Sequence, residues 1–184
     1  KKVKKNTTVV LGGNHISSMV ADYKISIIDK KSKLPNEIKD LENDHFDLGM
    51  TGEGEFSFAE LVNALLNNQD ISKVPGLVKK IGSKKYLINP STRIHDLNKL
   101  PRPARYLVDM ESYFKIGAFH SAKSRSKRVL SVMCSRGCPE KCTFCSTPLM
   151  WGTNTSWRST QHIMNEISND VKDYKIGEIQ FDDD

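Results

Sequence analysis

The sequence predicts an α/β fold, and three observations predict it. Short apolar, strand-like runs end in loops of special chemistry: Val9-Val10-Leu11 before Gly12-Gly13, Leu48 to Met50 before Gly52-Glu53-Gly54-Glu55, and Val129 to Met133 before Cys134. Apolar residues at helical spacing follow the second and third of these runs. A further strand, Ile179-Gln180-Phe181, then closes the order strand, loop, helix, strand. That is a βαβ unit, whose strands should lie parallel with a right-handed crossover.

Taken in order, Pro35 to Asn43 carries helix signals, with proline early and mixed charge after it. After the second strand, Phe58, Leu61, Val62, Leu65 and Leu66 fall on one helical face, and Asn67-Asn68 ends that helix. Residues 71–128 read as a connector with little regular structure. Within it, Leu77-Val78 and Tyr86-Leu87-Ile88 pair as a hairpin across Gly82-Ser83. Pro90, Pro101 and Pro103 interrupt any long helix or central strand. The stretch from His120 to Arg128 is basic and serine-rich, so exposure is expected. Ser159 or Thr160 caps the last helix, with Ile163, Met164, Ile167, Val171 and Tyr174 as its apolar face and Gly177 as its stop. The first strand arrives with nothing before it to pair with, and the chain stops on the exit of a strand. A piece of a longer protein is the expectation.

Composition narrows the class. The 184 residues are 38% hydrophobic, enough to bury a core, and the net charge is +6 with a pI near 9.1. The basic residues are scattered without interleaved aromatics, so solvated faces are expected and nucleic-acid binding is not. No apolar run reaches the length of a membrane span, and Val9-Val10-Leu11 is too short for a signal-peptide core. All four cysteines, Cys134, Cys138, Cys142 and Cys145, lie within twelve residues. A disulfide framework would spread them; a tight cluster without an export signal suggests a metal site in a reducing compartment.

Three thiolates as close as Cys138, Cys142 and Cys145 can converge on one small cluster, and a cube of four irons held by three cysteines leaves one iron open. Gly137 and Pro139 suit the backbone turns such a loop needs. Two other sites are compatible with cysteines alone. A structural zinc site would use all four but usually shows two pairs across a longer spacer. A ferredoxin-like carrier normally wants a fourth ligand followed by proline, and Cys145 is followed by Ser146-Thr147. Cys134 reads as a spare buried thiol at the strand end.

The string Cys138-Pro-Glu-Lys-Cys142-Thr-Phe144-Cys145 resembles the signature of the radical S-adenosylmethionine (SAM) enzymes. The wider Ser-Arg-Gly-Cys-Pro-Glu-Lys-Cys-Thr-Phe-Cys is similar to the branch with a cobalamin-binding domain in front. The resemblance implies a [4Fe-4S] cluster on Cys138, Cys142 and Cys145, and SAM on the open iron. It also implies reductive cleavage to methionine and a 5′-deoxyadenosyl radical, with Phe144 near the adenine. Phe181-Asp182-Asp183-Asp184 is similar to that family's acidic string at the second barrel strand, which implies that Asp183 and Asp184 face the SAM ammonium group. Arg158 and Glu166 fit the family's pattern too, with no role assigned beyond packing and solvation.

Neither glycine string upstream is a dinucleotide fingerprint, since each lacks the third glycine. Ahead of the cysteine loop, they resemble the cobalamin-binding domain of the same family. That implies that Gly12, Gly13, His15, Gly52, Glu53, Gly54 and Glu55 line the nucleotide tail of cobalamin. His15, read by itself, is a hydrogen-bonded structural residue. A lysine-rich insertion is expected around Lys24 to Lys33.

The resulting expectation is the C-terminal half of a Rossmann-like cobalamin-binding domain at 1–70, a connector at 71–128 and, at 129–184, the first βαβ unit of a partial (β/α) radical SAM barrel. The implied reaction is cobalamin-dependent methylation of an unactivated carbon, with cyclisation or rearrangement on the same architecture. The resemblance implies a small-molecule substrate, an electron donor such as flavodoxin or ferredoxin, and a cytoplasmic setting. No catalytic residue is assigned. A methylthiotransferase is disfavoured because residues 1–133 hold no cysteine. A zinc-stabilised binding module without catalysis is the alternative of another class.

Overall fold

The structure is a computed structural model that describes residues 7–28, 46–83, 85–116 and 124–183. The chain forms two compact units, residues 1–93 and 94–184.

The first unit is built on a four-stranded sheet in the order β1 (Val10–Leu11), β2 (Leu48–Met50), β3 (Leu77–Gly82), β4 (Lys85–Ile88). β1 and β2 are parallel; β2–β3 and β3–β4 are antiparallel. The hairpin expected across Gly82-Ser83 is therefore present, and it extends the first sheet. Successive residues of a strand face opposite sides, and the cores follow that rule. Leu11, Val78 and Ile88 pack with Ile16, Met19 and Val20 of α1 (Asn14–Ile28). Val10, Leu77 and Leu87 pack with Leu61 of α2 (Gly54–Leu66), together with Leu48, Met50 and Val74. One helix thus covers each face. Gly49 permits the first contact, since a Cβ there would sit 3.1 Å from both Ile16 Cδ1 and Val78 Cβ.

The buried face of α2 departs from the expected stripe. Ser57, Leu61 and Ala64 are its buried residues, while Phe58, Val62 and Leu66 are exposed. Small side chains at 57 and 64 bring the helix close to the sheet along a line rotated from the most apolar one. Residues 24–28 of the lysine-rich stretch belong to α1; its residues 29–33 and the helix expected at Pro35 to Asn43 lie outside the described residues.

The turn Val74-Pro75-Gly76-Leu77 is fixed to the end of β2. Thr51 N and Oγ1 both donate to Gly76 O, at 2.9 and 3.2 Å, and Gly76 N donates to Pro90 O at 3.0 Å. Gly76 has φ +73°, and a Cβ there would meet Thr51 O at 2.4 Å. Gly76→Ala is expected to destabilise this unit by at least about 2 kcal/mol, through the left-handed backbone and the backbone clash together. Urea titration of the variant checks this, and an unchanged midpoint would show that the turn can relax.

In the second unit, β5 (Val129–Val132) and β8 (Glu178–Phe181) pair in parallel, with α5 (Thr160–Tyr174) between them in sequence. This is the expected βαβ order. Ser159 caps α5, its side chain accepting from His162 N at 3.2 Å. The helix ends in a left-handed Lys175, not at Gly177. Gly177 is small for another reason: a Cβ would meet Ser126 Oγ at 2.5 Å. Two-residue strands β6 (Ser135–Arg136) and β7 (Ser156–Trp157) pair antiparallel, and α4 (Thr147–Trp151) lies between them in sequence. The segment ahead of β5 holds 3-10 turns at Leu97–Lys99 and Arg105–Leu107, and α3 (Met110–Ile116). Phe114, Leu130 and Ile176 form its small apolar core.

The buried positions of α5 are Glu166 and Asp170, not the expected apolar stripe. Met164 and Val171 are exposed, and Ile163, Ile167 and Tyr174 are partly covered. Arginines supply the reason. Arg102 donates to Asp170 Oδ1 through Nε (3.1 Å) and Nη2 (2.5 Å), and to Asp173 through Nη1 (2.9 Å). Arg105 lies 3.0 Å from both Asp170 Oδ2 and Glu166 Oε1. Arg158 pairs with Glu166 Oε2. Buried carboxylates persist when paired in this way. Among the described residues, no helix is long and apolar enough to cross a membrane.

Candidate functional site

The cysteine loop leaves the C-terminal end of β5 beside the C-terminal end of β8. Val132 pairs with Phe181, and Asp182 N donates to Val132 O at 3.0 Å. The next residue on β8's side, Asp183, grips the base of the loop. Its Oδ1 accepts from Cys134 N (2.8 Å), Ser135 N (2.6 Å) and Ser135 Oγ (2.8 Å). From β7's side, Arg158 N donates to Cys134 O at 2.9 Å and Arg158 Nη1 to Met133 O at 2.8 Å. The Met133–Ser135 backbone is therefore held by a carboxylate on two amides, and by the guanidinium and the backbone N–H of Arg158 on two carbonyls. Beyond this brace, β6 and β7 draw the two arms of the loop together. Thr155 Oγ1 donates to Gly137 O at 3.2 Å, and Cys138 N to Gly152 O at 3.3 Å. The Arg136 guanidinium lies 4.9 Å from the centre of the Trp151 ring.

All four cysteines are free thiols. Cys138 and Cys145 are half-buried and Cys142 is exposed; Cys145 N donates to Cys142 O at 3.1 Å, so the last two share a tight turn. Phe144 is 91% exposed. Among the described residues, no three His, Cys, Asp or Glu side chains are gathered closely enough to hold a single metal ion. A four-iron cluster sets a different condition, one thiolate on each of three separate irons. The donor set meets it, with three free thiols on one loop, none in a disulfide and none used in the core. Asp184 lies outside the described residues.

Cys134 is set apart from the other three. Burial, then the charge and hydrogen bond of Asp183, push its thiol up to about 11. A thiol so placed is protonated at neutral pH and a poor nucleophile. At pH 8 its alkylation is expected to be about a hundredfold slower than that of a free cysteine. Peptide mapping after timed iodoacetamide treatment measures this, and Cys134 labelling as fast as a free thiol would refute it.

The two glycine strings, forty residues apart in sequence, meet at one edge of the first sheet, because β1 and β2 are adjacent and parallel. Ser17, on the first turn of α1, bridges them: its Oγ donates to Gly13 O at 3.3 Å and accepts from Gly52 N at 3.4 Å. Gly12, Gly13, Gly52 and His15 are exposed there, Glu53 is buried, and Gly54 and Glu55 open α2. The N-termini of both helices sit at this edge, offering backbone amides to polar or anionic groups. Sequence reasoning passed over Ser17, Arg102 and Arg105. The signal that pointed to such partners was a pair of carboxylates, Glu166 and Asp170, four apart on a helix.

No family model matches the chain. An uncharacterised methyltransferase of Pyrococcus horikoshii is 30% identical over 184 residues, all of this chain and 35% of that protein. The cobalamin-dependent radical SAM methyltransferase TokK of Streptomyces tokunonensis is 28% identical over 152 residues, 82% of this chain and 18% of that one. The chain's homologues thus include cobalamin-dependent radical SAM methyltransferases. The chain spans about a third of the length of the first relative and less of the second. Its fold agrees with that of the radical SAM methyltransferase TsrM from Kitasatospora setae, a structure with cobalamin and a [4Fe-4S] cluster bound. The TM-score is 0.62 at 18% identity, covering 97% of this chain and 31% of that one. In this chain, Cys138, Cys142 and Cys145 occupy one loop at parallel strand ends, and Cys134, its thiol pushed up by burial and Asp183, sits at the base of that loop.

Proposed function

We propose that the chain acts within a cobalamin-dependent radical SAM methyltransferase, with Cys138, Cys142 and Cys145 holding a [4Fe-4S] cluster. The observation that carries this is the placement of three free, spaced thiols on one loop, sprung from the C-terminal end of β5 and tied to β8 by Asp183. Relatives described as methyltransferases favour methyl transfer over other radical outcomes. When bound, the cluster supplies the electron that cleaves the sulfonium bond of SAM, and cobalamin supplies the methyl group. The residues' own work is to bind and orient. Gly12, Gly13, His15, Gly52, Glu53, Gly54 and Glu55 form the edge that takes the cobalamin tail. Asp183, whose Oδ1 holds the loop, would present its carboxylate to SAM's ammonium group. Asp184 and Phe144 complete the SAM side, Phe144 covering the adenine from its exposed position.

The same reading makes residues 1–70 the back half of a Rossmann-like domain, with the β3–β4 hairpin added to its sheet, 71–128 a connector, and 129–184 the opening βαβ unit of a partial barrel. Small-molecule substrate, reduction by flavodoxin or ferredoxin and a cytoplasmic setting go with it. The deciding experiment is elemental. The protein, expressed from its complete reading frame and reconstituted anaerobically, is assayed for iron, acid-labile sulfide and zinc. About four irons and four sulfides per chain are expected. Stoichiometric zinc without sulfide would remove the radical reading.

A further inference from the structure

Among the described residues, β5 is paired on one edge only, with β8. Val132 O accepts from Asp182 N, so the carbonyls on either side of it, Ser131 O and Met133 O, face the opposite edge. Backbone carbonyls at a strand edge need partners, and here guanidiniums provide them. Arg158 Nη1 donates to Met133 O at 2.8 Å, and Arg105 Nη2 approaches Ser131 O at 3.5 Å. Both arginines also reach one carboxylate, Glu166: Oε1 lies 3.0 Å from Arg105 Nη2, and Oε2 pairs with Arg158 Nη2; Arg105 Nη1 lies 3.0 Å from Asp170 Oδ2 as well, and Arg158 Nε donates to His162 Nδ1 at 3.1 Å. Glu166 is 4% exposed. Glu166 is thus the partner on α5 that the two guanidiniums share, and both lie along the last residues before Cys134.

A helix buried by apolar residues would be held as firmly, since apolar replacement of buried ion pairs is often neutral or stabilising. What the charged arrangement adds is direction. A planar fork bonded at both ends has one orientation, and Arg158 is in addition bonded to Cys134 O through its own N–H. The strand end from which the loop with Cys138, Cys142 and Cys145 leaves is therefore held by Arg158 and Arg105, whose shared partner is Glu166.

We propose that Glu166, acting through Arg158 and Arg105, is a positioning residue for the cluster loop and hence for SAM on the cluster. The inference rests on the cluster assignment above. Glu166→Gln keeps the shape and removes the charge, while Arg158→Lys keeps the charge and removes the fork. In both, iron and sulfide contents should remain within about twofold of the unsubstituted protein, because no cysteine is touched. The electron paramagnetic resonance spectrum of the reduced cluster should change, and the SAM concentration that half-shifts it should rise about tenfold, as for other residues that orient a metal ligand. The double variant Arg158→Met/Glu166→Met separates direction from support. It should fold and unfold like the parent while retaining the weakened SAM response. An unaltered SAM titration in both single variants would overturn the proposal, and so would a double variant that restores it. Should the single variants not fold, the double variant alone decides, by the same titration. Absence of iron and sulfide from the unsubstituted protein would strike the cluster assignment itself, a result distinct from any of these.

Discussion

Cys142→Ala is expected to abolish the iron–sulfur centre while leaving the fold intact. Cys142 is exposed, belongs to none of the three apolar cores and is in no disulfide. Removal of such a side chain ordinarily changes stability by no more than about 0.5 kcal/mol. Its thiolate is nonetheless one of three that the cluster needs, since the fourth iron is kept open. Iron and sulfide should fall from about four each to well below one per chain, and formation of 5′-deoxyadenosine from SAM should drop to background. Cys134→Ala run beside it should retain full iron and sulfide, because that thiol is held protonated against Asp183. A centre that survives Cys142→Ala but is lost with Cys134→Ala would reassign the ligands and defeat the reading.

Asp170→Ala should be the most damaging change to stability. Asp170 is fully buried, with Arg102 bonded to one oxygen and Arg105 3.0 Å from the other. The substitution leaves two guanidiniums beside a void, and breaking a buried pair in this way costs about 3–5 kcal/mol. That is a large share of the 5–15 kcal/mol, roughly, by which domains are stable. The loss should persist at high salt, since buried pairs are little screened. Both tryptophans, Trp151 and Trp157, lie in the second unit, so their fluorescence in urea follows its unfolding directly. A midpoint within error of the parent would mean that Glu166 and Asp173 accommodate both arginines.

Much of the plan was legible in the residues. The βαβ order at 129–181, the hairpin at 77–88 and the Ser159 cap follow from period, turn chemistry and capping, which are local. The cysteine spacing and the paired glycine strings are also local patterns, so the candidate site could be named before any geometry. Burial was harder to read. On α5 the apolar residues at helical spacing pointed to one face, and the arginines from 102, 105 and 158 turned another face inward. On α2, Ser57 and Ala64 outranked Phe58 and Leu66 because closeness of approach mattered more than apolar area. Strands as short as β6 and β7 carry no periodicity at all. Their pairing depends on partners twenty residues away, which no window of sequence reveals.

The β6–β7 pair has a thermodynamic consequence. The loop from 137 to 155 is closed at its neck by Ser135–Trp157 and Arg136–Ser156, reinforced by Arg158 N on Cys134 O. Closing a flexible segment of that size costs about 2–3 kcal/mol in chain entropy, and here protein hydrogen bonds meet the cost. In small zinc domains the metal itself must meet it, so that binding and folding are one event. A neck already tied makes incorporation of iron and sulfide a chelation on a tether, with the thiols at high effective concentration. The scaffold around the loop is then independent of its cargo, and repeated loss and repair of the centre would leave β5 and α5 standing.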